Sequence, residues 1–135
     1  MTPADALTEW GRRAVACPRF RWSPGMLAIV PPANDGATGY TVRIIEGSAP
    51  VNSARAFPNL ADDATLGALL GLVREAWGGG VHCVPDTGWA IRGARNPETG
   101  ETIGLGISGI DFECGALVAA LEAAALFDED LKGGE

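Results

Sequence analysis

Asp62-Asp63-Ala64-Thr65-Leu66-Gly67-Ala68-Leu69-Leu70-Gly71-Leu72-Val73-Arg74-Glu75-Ala76-Trp77, halted by Gly78-Gly79-Gly80, is the stretch that decides how this chain folds. Leu66, Leu69, Leu70, Val73 and Trp77 recur at i, i+3, i+4, i+7 and i+11, on one face of a 3.6-residue period. Asp62 or Asp63 can accept hydrogen bonds from the first free amides, and both carboxylates suit the positive end of a helix dipole. The glycines end the segment. The stretch therefore predicts an amphipathic helix folded onto a core.

A second helix is expected upstream. Thr2-Pro3-Ala4-Asp5 reads as an N-cap, a proline at the first helical position and an acid at the third. Leu7, Trp10, Ala14 and Cys17 follow at helical spacing, Arg12 and Arg13 sit near the C-terminal end, and Pro18 closes the segment. Downstream, Cys114, Leu117, Val118, Leu121 and Ala125 repeat the helical stripe in a last helix beginning near Ser108 or Asp111.

The intervening runs are β-rich. Met26–Val30 and Tyr40–Ile45 flank the turn formers Pro31-Pro32-Ala33-Asn34-Asp35-Gly36, which predicts a hairpin with a long loop. Tyr40, Val42 and Ile44 alternate with Thr41 and Arg43, so the first three are expected to face the core. Residues 47–61 have no periodicity; a connection this long is either functional or carries short structure of its own. Val81–Val84, Gly88–Arg92 and Thr102–Ile107 predict a three-stranded meander. The element order is then α-β-β-α-β-β-β-α. Strands linked by hairpins pair antiparallel, which makes this an α+β fold: an antiparallel sheet of about five strands with helices on one face. One domain is expected over residues 1–127, with an acidic C-terminal tail over 128–135.

With 135 residues and 47% hydrophobic content, the chain can bury a single core. No apolar run approaches the ~18 residues of a spanning helix, and the N-terminus is acidic where a signal peptide is basic, so a cytoplasmic protein without membrane contact is expected. Cys17, Cys83 and Cys114 are odd in number and far apart, which fits reduced, mostly buried thiols. The net charge of −7 is divided unevenly. Residues 1–60 carry six arginines against four acids, and residues 61–135 carry four basic against thirteen acidic groups. An acidic half disfavours direct nucleic-acid binding, which needs clustered cations, and suits a protein partner with a basic surface.

Motifs for chemistry are sparse. Gly104-Leu105-Gly106-Ile107-Ser108-Gly109 matches G-x-G-x-x-G but lacks the surrounding βαβ unit; a bent or bulged edge strand is the plainer reading. His82, the single histidine, adjoins Cys83, yet neighbours on a strand point to opposite faces. Cys17 or Cys114 remains available to it for a nucleophilic pair, the basis of a rival reading as a small enzyme or ligand-binding domain. No spacing indicates a metal site, and no cofactor is expected. The acids Asp62, Asp63, Asp111, Glu113, Asp128, Glu129 and Asp130 are the candidate partner-binding residues. Arg19, Arg21 and Trp22 form a basic-aromatic cluster able to meet a phosphate, a base or a carboxylate.

Three blocks, Cys17–Met26, Leu60 with Asp63–Trp77, and Ala116–Ala124, together resemble small proteins encoded by bacteriophages and prophages of GC-rich bacteria. The resemblance covers about half the chain in the same order, and the first two blocks are the specific ones. It brings no catalytic residues. What it implies is context: small acidic phage proteins often occupy a surface on a host protein, including inhibitors of CRISPR nucleases that imitate nucleic acid. The leading expectation is a non-enzymatic binding module, with a self-associating accessory protein, such as a homodimer, as a further option.

Overall fold

The computed structural model describes residues 2–31, 41–46 and 55–133, with the side chains of Asp86 and of 129–133 excepted. Its elements are α1 (Pro3–Ala16), β1 (Leu27–Val30), β2 (Thr41–Ile44), β3 (Phe57–Pro58), α2 (Asp63–Trp77), β4 (His82–Asp86), β5 (Gly88–Arg92) and α3 (Glu113–Gly133). The fold is α+β, but the strands form two small antiparallel sheets, β2-β1-β3 and β4-β5, where one sheet of about five was expected.

The helix boundaries follow their caps. Thr2 accepts the Asp5 N–H at α1, and Asp62 accepts the Thr65 N–H at α2. Gly78 ends α2 at φ 97°, a conformation that favours glycine, with its N–H bonded to the Arg74 carbonyl. α3 starts later than the sequence suggests, because Ile110 exchanges backbone hydrogen bonds with Trp89 (2.7 and 3.2 Å), holding the preceding residues to β5. It also ends later. Residues 128–133 continue the helix, where a separate tail was expected.

α3 is the hub, packing on α1, α2, β4 and β5. Its Leu117, Val118 and Leu121 are fully buried. The α2 seam is closed by Trp77, whose indole N–H donates to the Ala120 carbonyl (2.9 Å) and whose ring meets Phe127 edge-on (5.6 Å). The buried face of α2 is rotated from the expected stripe: Thr65, Leu72 and Ala76 are buried with Leu69, Val73 and Trp77, while Leu66 and Leu70 are half-buried. α3 packs along this helix, Thr65 at its start takes the Leu27 N–H, and Leu72 lies beside residues 18–21, so its covered arc is wider than one stripe. α1 lies on β3, backbone close to backbone; a Cβ at Gly11 would fall 2.9 Å from the Pro58 carbonyl oxygen.

Two strand expectations are corrected. The fifth strand is β3, inside the connection expected at 47–61, whose residues 47–54 lie outside the described residues. The expected strand Thr102–Ile107 does run along the outer edge of β5, but irregularly. Trp89 is bonded to Ile110, the Ile91 N–H to the Ile107 carbonyl, and the Ile103 N–H to the Ala94 carbonyl. From Trp89 to Ile91 the β5 side advances two residues against three, and from Ile91 to Ala94 three against four. Each mismatch is a one-residue bulge, in a segment where Gly104, Gly106 and Gly109 allow the backbone to bend. The bend read from the glycine pattern is present, but between the isolated bridges Trp89–Ile110 and Arg95–Thr102 no regular strand forms.

Candidate functional site

The charge asymmetry of the sequence is drawn together on one side of the fold. Pro18 ends α1 and sends the chain across the C-terminal halves of α2 and α3, which places Arg13, Arg19 and Arg21 beside three acids of the second half. Arg13 forks onto Glu122 (2.5 and 3.2 Å) and also lies over the Trp10 ring, 4.1 Å from its centroid. Arg19 forks onto Asp128 (2.6 and 2.8 Å), and Arg21 onto Glu75 (2.5 and 2.9 Å). Both oxygens of each carboxylate meet one guanidinium, the geometry that makes arginine selective for carboxylates. Hydrogen bonding to Asp128 raises the Arg19 pKa, and bonding to Glu75 raises that of Arg21. The Arg21 guanidinium in turn holds the Glu75 carboxyl below its ordinary value. The Arg13 and Arg21 pairs are solvent-exposed and the Arg19–Asp128 pair is part-buried, so together they set the orientation of the 17–22 segment more than they stabilise it.

The basic-aromatic cluster is thereby accounted for. Arg19 and Arg21 are each bonded to a carboxylate, and Trp22 is half-buried edge-on to Phe20 (5.2 Å). Beside it, between α1 and α3, lies a cleft of about 430 Å³ floored by Ala16, Cys17 and Ala125, with Arg13 and Glu122 on its rim. Leu126, 62% exposed, stands at its mouth.

The candidate acids separate into two sets. Asp128 is bonded to Arg19. Asp62 caps α2, and Asp63 is exposed in its first turn. Asp111 is exposed just before α3, and Glu113 is half-buried in the first turn. None of Asp62, Asp63, Asp111 and Glu113 forms an ion pair among the described residues. The side chains of Glu129 and Asp130 lie outside the described residues.

Cys83 and Cys114 are not activated as nucleophiles. Burial pushes both the Cys83 and Cys114 thiols up to about 11, with the charge of Glu113 adding to the effect. Both are therefore protonated at neutral pH, the reverse of what a cysteine nucleophile needs. His82 is exposed, with Nδ1 2.9 Å from the Gly80 carbonyl oxygen. The three cysteines are free, and no group of ligating side chains suited to a metal ion occurs among the described residues. Among the described residues no helix is long and apolar enough to cross a membrane.

One surface was misread from the sequence. Val42 and Ile44, expected to face the core, are 57% and 68% exposed. Tyr40, third in that pattern, lies outside the described residues. The alternation is real, but among the described residues α1 packs on the sheet at β3, where Phe57 is buried, and no element is packed on the β2 end of the same face. A period of two says which side chains share a face, not whether another layer covers it. Comparison of the chain with family models, with curated proteins and with solved structures returned no match.

Proposed function

We propose that this chain is a non-enzymatic binding module of phage or prophage origin that occupies a basic surface on a host or phage protein. The observation that carries the reading is the partition of charge. Glu75, Glu122 and Asp128 are matched by arginines, whereas among the described residues Asp62, Asp63, Asp111 and Glu113 have no ion pairs at the starts of α2 and α3. Unmatched carboxylates on a chain of net charge −7 favour encounter with a cationic surface. Proteins that handle nucleic acid present such surfaces, and a CRISPR nuclease is the partner class that the sequence resemblance implies. The rival reading is an enzyme or ligand-binding domain using His82 and a cysteine; the raised thiols of Cys83 and Cys114 disfavour those two as its nucleophile.

The test is co-purification of the tagged protein from host lysate at low and at high salt, beside an Asp63→Lys/Asp111→Lys variant and a His82→Ala variant. A partner retained at low salt, lost at high salt and lost from the charge-reversed variant supports the proposal. Capture that survives charge reversal, or a function abolished by His82→Ala, overturns it.

A further inference from the structure

β2 is an edge strand, and its outer side is chemically unusual. The Ile45 N–H donates to the Met26 carbonyl (2.9 Å), which sets the hydrogen-bonding phase of the β1–β2 ladder. Counting back along the register, Arg43 and Thr41 aim their backbone groups at β1, and Val42 and Ile44 aim theirs away from the sheet. The far side of β1 agrees with this phase: the Leu27 carbonyl accepts from Asn59 (2.8 Å) and its N–H donates to the Thr65 hydroxyl (2.8 Å). Val42 and Ile44 thus carry the outward backbone donors and acceptors, and they are also two of the three exposed large hydrophobics among the described residues. Val42 continues a row across the sheet through Ile29 to buried Phe57. Among the described residues nothing pairs with this edge.

We infer that β2 accepts an extended segment of a partner protein as an added antiparallel strand. Backbone bonds at Val42 and Ile44 would hold it, and their side chains would cover apolar residues at alternate positions of the incoming strand. Charge selects the occupant at two levels. Arg43, exposed and without an ion pair among the described residues, favours a carboxylate directly opposite. Exposed Glu46, just past the end of the strand, favours a basic residue flanking that core, and a second copy paired through the same residues would set Arg43 opposite Arg43. The partner segment is therefore apolar-acidic-apolar with basic flanks. This surface uses residues other than the acidic helix starts, so it stands or falls independently of them.

The experiment titrates the full chain with the synthetic peptide acetyl-Lys-Thr-Val-Glu-Ile-Thr-Lys-amide, following amide exchange by NMR and affinity by calorimetry. Saturation should slow exchange roughly tenfold or more at the Val42 and Ile44 amides, with little change at Arg43, whose amide is already bonded to β1. Val42→Pro removes one outward N–H at a position where an edge tolerates proline, and should abolish binding with the circular-dichroism spectrum intact. Arg43→Glu should weaken binding by up to about fivefold, and replacing the peptide glutamate by lysine should restore it. Absence of peptide binding overturns the inference, as does binding that survives Val42→Pro. Protection of the same two amides by self-association, without peptide binding, also overturns it by making the occupant a second copy. Asp63→Lys/Asp111→Lys should leave peptide binding in place, which separates this result from the test of the acidic surface.

Discussion

The hydroxyl of Thr65 stands at the junction of α2 and β1, accepting the Leu27 N–H and donating to Asp62 (both 2.8 Å). It is the one buried polar side chain among the described residues, and its position inside a helical run gave no sequence signal beyond the cap three residues earlier. Thr65→Val keeps the shape but leaves the Leu27 amide without its acceptor, and should cost about 1–3 kcal/mol in urea unfolding. Asp62→Ala, which removes the cap and the hydroxyl's acceptor, should cost about 0.5–2 kcal/mol. The cysteines give a second residue-scale expectation. With Cys83 and Cys114 pushed up to about 11, iodoacetamide should label these two thiols of the native protein slowly at neutral pH and faster as the pH rises towards that value. Half-buried Cys83 should react before buried Cys114, as read by peptide mapping. Fast labelling at neutral pH would reinstate the thiols as chemistry.

Between helices, glycine marks contacts that hydrophobic periodicity cannot. A Cβ at Gly115 would lie 2.6–2.8 Å from the Trp10 ring and the Ile110 side chain, so Gly115→Ala overpacks the α1–α3 contact and should destabilise by about 1–3 kcal/mol. Gly67 and Gly71 in α2 have no atoms within 4 Å of the corresponding point; Gly67→Ala/Gly71→Ala should raise the thermal midpoint, each change adding up to about 1 kcal/mol. The three helices were legible because caps and stops are local chemistry: Thr2, Asp62 and Gly78 act where the sequence places them. Which arc of α2 is buried depended on the 18–21 segment and the Leu27 backbone as well as on α3, which no single-helix pattern encodes. Short β3 lacked the length to show a period, and the bulges beside β5 broke the alternation that defines a strand. Of the candidate site, the capping roles of Asp62 and Glu113's place in the first turn of α3 were readable; the pairing of Arg13, Arg19 and Arg21 with distant acids was not.

At the scale of the molecule, the basic first part and the acidic second part are joined by their own charges. For the Arg21–Glu75 pair the Glu75 carboxyl is held below its ordinary value of 4.5, so its contribution is present above that pH and is lost as pH falls through the lower folded-state value. The stability difference between the chain and its Arg21→Ala variant should therefore be constant from about pH 5 to about pH 8 and shrink at lower pH. A difference that grows on acidification would mean that another group governs it. Arg13 and Glu122 are 109 positions apart, as are Arg19 and Asp128. A ribosome adding about 5–20 residues per second therefore makes α1 roughly 5–20 seconds before the helix that receives it. For that interval the Trp10 ring has no Gly115 to lie against and Arg13 no Glu122 to bind, so this side of α1 is left open on the nascent chain.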